Sequence, residues 1–171
     1  MVQRTSAANA DGDHSDRADR AGWMANALLL ISVRWPDLRQ HGNLFAIALV
    51  LRLAGVALLG WIGWVHWVLW QQEGYKFIPT SGPFFLADAI AAVLLAVLLL
   101  AWPRPLIGLV SAGFTASTIL ALVISLAVGL FGFHESISAN YVVEALVLEC
   151  VAMVILLAWA VIAASALHRR R

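Results

Sequence analysis

Four long apolar runs, covering roughly residues 44–70, 83–102, 106–131 and 140–167, limit what this chain can become. Each is about as long as, or longer than, the roughly 20 helical residues that cross a hydrocarbon core of about 30 Å. Apolar side chains surround each run on most sides instead of forming one stripe, as expected where lipid replaces water. A lone segment in lipid has to satisfy its own backbone N–H and C=O groups, so these runs are helices. The expected fold is all-α, a polytopic four-transmembrane-helix bundle over residues 44–167. Trp102-Pro103-Arg104-Pro105 is little more than a turn, so the second and third helices are expected to be antiparallel neighbours. Pro83 and Pro105 suit first-turn positions, where a missing N–H costs nothing.

Composition supports this reading. Of 171 residues, 62% are hydrophobic and 12% charged, whereas soluble domains carry about a quarter charged residues. A soluble globular enzyme and a disordered regulator are excluded. The formal charge of +1 implies no polyanion, and nucleic acid is not an expected partner. Cys150 is the one cysteine, which excludes an internal disulfide, a thiol relay and a Cys-rich zinc site.

Residues 1–20 alternate Asp11, Asp13, Asp16 and Asp19 with Arg17 and Arg20 among small polar residues. They read as a disordered cytoplasmic tail rather than a signal peptide. Within 21–43, the apolar stretch 22–33 is too short to span and is flanked by Trp23, Trp35 and Pro36. It reads either as an interfacial helix or as a helix packed on the bundle. Six arginines (Arg34, Arg39, Arg104, Arg169, Arg170 and Arg171) fall on one side of the spans, against Lys76 on the other. That bias puts both termini, with the basic end 168–171, in the cytoplasm. The linkers 71–82 and 132–139 then face outward.

The third run carries Gly113, Ser117, Ala121, Ser125 and Gly129, a small residue at every fourth position. In lipid, helices associate by close packing, and small residues allow it. This row is expected to form a groove seating another helix, from this chain or from a second copy. A further row, Gly108, Ala112 and Ala116, lies nearby.

Arg52, Asp88 and Glu149 lie inside spans on faces that also carry small residues. Such faces turn inward, because a charge at the bilayer centre costs several kcal/mol unless paired or hydrated. Arg52 is expected to reach toward Glu149, with Asp88 and the hydroxyls of Ser111, Thr115 and Thr118 as further partners, unless its stem snorkels to the inner headgroups. The cluster is either a proton or ion pathway or a structural pair fixing helix register. Glu144 sits where a carboxylate complements a helix N-terminus, with Asn140 as a plausible cap.

At the outer end, Trp61, Trp64, Trp67 and Trp70 form an interfacial belt around His66. His134 and Glu135 lie on the same side, and with His66 they raise the question of a metal ion. Nothing in the spacing demands one, and no cofactor motif is present. The linker 73–83, rich in Pro and aromatics, reads as an ordered strap that either shapes a pocket with His66, Trp67 and Trp70 or only seals the bundle.

His66-x-x-Leu69-Trp70, Gly74-Tyr75-Lys76-x-Ile78-Pro79-Thr80-x-Gly82 and the stretch Gly129 to Ser136 resemble a set of uncharacterised small four-helix integral membrane proteins of actinobacteria. The resemblance covers about residues 44–165. It implies no activity, but it implies that His66, Tyr75, Lys76, Pro79, His134 and Glu135 belong to an outer-face signature. The leading expectation is a non-catalytic accessory or scaffold subunit of a bacterial cytoplasmic membrane. Its partners would be the lipid bilayer and a homo-oligomer or larger membrane complex. The second expectation is an outward-facing protein that binds or transports a small ligand, proton or metal ion. It would use His66, Trp70, Tyr75, Lys76, His134 and Glu135 outside and Arg52, Asp88 and Glu149 within.

Overall fold

The structure is a computed structural model describing residues 42–168. The expected cytoplasmic tail, the stretch 22–33 and Arg169 to Arg171 lie outside the described residues. Four helices run in order: α1 Gly42–Gln71, α2 Ser81–Ala101, α3 Pro105–Ala127 and α4 Val142–His168, with a short 3-10 turn at Tyr75–Phe77. All four are long and apolar enough to cross a membrane. The fold is a four-helix bundle. The strap end holds the linkers 72–80 and 128–141, and the terminal end holds the linker 102–104.

Every helix buries a seam with alternating steps of three and four. On α1 it is Ala48, Arg52, Gly55, Leu59, Ile62, His66 and Leu69. On α4 it is Val142, Ala145, Glu149, Ala152, Leu156, Trp159 and Ala163. Gly82, Ala89, Ala92, Ala96 and Leu99 continue the pattern on α2, as do Gly108, Ser111, Thr115, Thr118 and Ser125 on α3. A 3.5-residue repeat keeps one face toward its neighbours along the whole span. The small seam residues let backbones approach, and large exposed residues such as Val50, Leu94, Leu120 and Val154 coat the outside. At Gly108 the approach is closest. A Cβ there would lie 2.6 Å from the ring of Trp159, which is itself fully buried.

The small-residue row expected to seat a helix does so only at its strap-end limit. Gly113 and Ser117 are exposed, Ala121 is half-buried and Ser125 is buried. Gly129 lies beyond α3. A step of four turns about 400°, so the row drifts about 40° per step and winds off one face onto another. The row Gly108, Ser111, Ala112 and Thr115 is the one that seats α4.

Helix pairing also departs from expectation. α2 packs along α1, α3 along α4, and α1 joins the pairs through α4, while α2 and α3 touch only slightly. The short linker holds them together at the terminal end, but at the strap end they diverge. The third helix stops at Ala127 rather than 131, because Gly129, Phe131 and Gly132 all take positive φ. These residues form a tight turn closed by Leu130–Phe133 pairing. α4 likewise starts at Val142, so Asn140 does not cap it. The Asn140 amide instead donates to Glu73 Oε2 at 3.1 Å.

Candidate functional site

Divergence of α2 from α3 leaves a cavity of about 430 Å³ in the strap-end half of the bundle. That size falls within the range of small-molecule sites. α1 contributes His66 and Leu69, α2 contributes Phe84, Phe85 and Asp88, and α3 contributes Ser117, Thr118, Ala121 and Ser125. Ala145 and Glu149 of α4 and Phe131, Phe133 and Glu135 of the second linker complete it. The lining reaches the bundle surface at Phe84, Leu120 and Phe131, each more than half exposed. The opening is therefore sideways, between α2 and α3. There the Phe84 and Phe131 rings stack with centroids 5.3 Å apart.

The floor is a histidine–carboxylate pair. His66 Nε2 lies 3.7 Å from Glu149 Oε1, with both side chains buried. The other ring nitrogen, Nδ1, lies 2.9 Å from the Ile62 carbonyl, one turn back on α1. A carbonyl only accepts, so Nδ1 carries a hydrogen and Nε2 is the nitrogen that gains or loses one. Facing a carboxylate, Nε2 makes a favourable contact only if one proton lies on the nitrogen or on the acid. The second oxygen, Glu149 Oε2, is buried without a hydrogen-bond partner among the described residues. Asp88 lies within electrostatic reach of both His66 and Glu149. The Thr118 hydroxyl also lies beside Glu149, but its hydrogen goes to the Thr115 carbonyl at 2.9 Å.

The roof is the strap. Gly82 lies so close beneath it that a Cβ there would meet the Tyr75 carbonyl oxygen at 2.7 Å. Tyr75 folds inward, its ring 4.5 Å from Phe85 and 5.7 Å from Phe133. Its hydroxyl donates to Glu135 Oε2 at 2.6 Å. Glu135 Oε1 accepts from the Ser136 N–H at 3.0 Å. Burial, with Glu135 and Glu73 close by, pushes the Tyr75 phenol well above its ordinary range. The two linkers thus lock to each other over the cavity.

Arg52 takes no part in this site, contrary to the expected pairing with Glu149. Its Nε donates to the Leu99 carbonyl at 3.0 Å and a terminal nitrogen donates to the Leu100 carbonyl. Those are last-turn carbonyls of α2, which lack intrahelical partners and carry the negative pole of the helix. Depth forbids the other arrangement. His66, which Glu149 faces, is fourteen residues along α1 from Arg52, or about 21 Å at 1.5 Å per residue.

Of the outer-face candidates, the structure brings His66, Tyr75 and Glu135 to the cavity. Trp70 lies to one side against Trp67, with centroids 5.2 Å apart. Lys76 Nζ lies over the Phe77 ring at 5.3 Å, and His134 is exposed on its turn. Among the described residues no three His, Cys, Asp or Glu side chains converge as a metal ion would require. Glu144, in the first turn of α4, accepts from Trp61 Nε1 at 2.9 Å. Phe85 and Phe133, which line the cavity, carry no polar signal that a sequence reading would single out.

Comparison with protein-family models, with curated proteins and with solved structures found no match to this chain.

Proposed function

We propose that this chain is an outward-facing small-ligand binding protein of a bacterial cytoplasmic membrane, with the strap end facing out, both termini in the cytoplasm and no catalytic role. One observation carries the reading: a single cavity joins His66, Asp88 and Glu149. A scaffold would fill that volume, because voids forfeit packing. It would also not keep an unpartnered carboxylate oxygen in the bilayer region, where such groups are costly. The geometry suits capture of a molecule arriving from the outer leaflet between α2 and α3. The likeness to small actinobacterial four-helix proteins belongs to the same proposal, since Tyr75 and Glu135 of the shared signature roof the cavity.

The accessory-subunit reading retains one observation, the exposed Gly113 and Ser117, with nothing within 4 Å of a Cβ at Gly113. That face suits a second copy of the chain or a partner subunit.

Cysteine accessibility tests the binding reading. In a Cys150→Ser background, Ser125→Cys should react with a small impermeant maleimide added outside intact cells. Thr115→Cys, fully buried in the α3 seam, should stay unreactive. Equal protection of the two positions, or labelling of Ser125→Cys only after the cells are opened, would overturn the open, outward-facing cavity.

A further inference from the structure

The cavity floor sets one histidine among carboxylates, with a single proton between His66 and Glu149. His66 uses its Nδ1 hydrogen on the Ile62 carbonyl, leaving Nε2 as the acceptor of the neutral ring. Glu149 Oε2 is an unpartnered acceptor in a side chain only 2% exposed. Asp88 adds a second carboxylate from α2. Of the hydroxyls on the α3 wall, Ser117 donates to the Phe114 carbonyl at 2.7 Å and Thr118 to the Thr115 carbonyl at 2.9 Å. At the roof, Tyr75 donates to Glu135. Among the described residues no Lys or Arg lines the cavity. Around these acceptors stand the aromatic rings of Phe85, Tyr75 and Phe133.

We infer that the ligand is a lipophilic ammonium ion, its N–H group directed at Glu149 and its apolar body held by the aromatic wall. An anionic ligand would face the carboxylates of Asp88 and Glu149 with no Lys or Arg among the described lining residues to balance it, and burying such a mismatch costs more than the contact returns. A cation finds a carboxylate with an empty oxygen and ring faces that attract positive charge. The His66–Glu149 contact requires one proton, and an ammonium ion replaces that proton as the charge that balances the carboxylate. Binding therefore displaces that proton, which is released to the surrounding water. The charged and titratable groups around Glu149 are His66 on α1 and Asp88 on α2. Thr118 faces it from α3, and Glu135 and Tyr75 stand above in the linkers.

This inference rests on the cavity being a binding site, and the test separates the two. The purified chain in discs of zwitterionic lipid is titrated with three probes sharing one aryl-alkyl body. They end in a protonated dimethylamine, a neutral isopropyl group and a sulfonate. Saturable binding of the amine is expected, on the order of 30-fold tighter than either analogue. It should weaken as pH falls, with release of about one proton per amine bound. Glu149→Gln should erase the preference for the amine. Ala121→Phe, which fills the cavity and leaves the charges in place, should abolish binding of the amine. Both variants are compared with the parent for helicity and monodispersity. If all three probes bind alike and Ala121→Phe blocks them all, the cavity is a site but the cation inference is wrong. If no probe saturates, or Ala121→Phe changes nothing, the binding reading fails with it.

Discussion

The two halves of the bundle are built from the same four helices yet solve different problems. Toward the terminal end the seams pack closely around Leu59, Leu99, Leu156 and Trp159. Gly108 lies under Trp159, Gly55 lies under Leu156 and Leu99, and Arg52 ties α1 to the last turn of α2. Toward the strap end the core shrinks to Val65, Leu69, Tyr75 and Ala145, and the space between α2 and α3 is left open. One half fixes the geometry and the other presents the chemistry.

The sharpest way to break this contrast is within α3. Gly108→Ala drives a methyl into the buried Trp159 ring and should destabilise the bundle by about 1–3 kcal/mol. Gly113→Ala, five residues on and facing outward, should be neutral or gain up to about 1 kcal/mol from helix propensity. Thermal unfolding in mild detergent measures both, and equal losses would mean that the two faces are not distinct. Arg52→Met comes next. It keeps much of the stem but removes charge-assisted bonds to the Leu99 and Leu100 carbonyls, for an expected loss of about 2 kcal/mol. Hydrogen exchange should rise in the last turn of α2 and remain unchanged around His66.

How much of this was legible in the residues follows from periodicity. Span number, approximate limits and helix identity came from apolar run lengths alone. The polar seam members Arg52, His66, Thr115, Thr118, Ser125 and Glu149 were visible too, but only a step alternating between three and four aligns them. Counting by fours picked the row that begins at Gly113 and winds off the seam. The Arg52–Glu149 pairing failed on depth. Both residues share inward faces, yet α1 is long enough to separate them by roughly four turns. A pocket under the strap at His66 is one of two readings of the linker, but that reading sets its walls at Trp67 and Trp70, which do not line it, because the divergence of α2 from α3 is a property of how all four seams pack. The positive φ that ends α3 early at Gly129 depends on the turn that follows it.

The smallest expected effect sharpens the strap side. Tyr75→Phe removes the bond to Glu135 and should cost about 1.5 kcal/mol, seen as faster hydrogen exchange across residues 74–82 and 130–136. In the parent, the folded phenol holds its proton more tightly than the unfolded one. Its contribution is therefore fully present below the ordinary phenol value of about 10 and fades as pH climbs through the raised one. Exchange in the strap should accelerate with alkali beyond the intrinsic rate in the parent, and the Tyr75→Phe variant should lose that extra rise.

The linker 102–104 joins the two helices that border the cavity, and its Arg104 N–H bonds back to the Trp102 carbonyl at 2.7 Å. α2 has 21 residues, so its far end stands about 30 Å from this joint. With such leverage, one degree of rotation at the joint shifts the far tip by about half an ångström. α2 and α3 are thus joined at one end only, and the angle set at a three-residue joint fixes the width of the mouth beside Phe84 and Phe131.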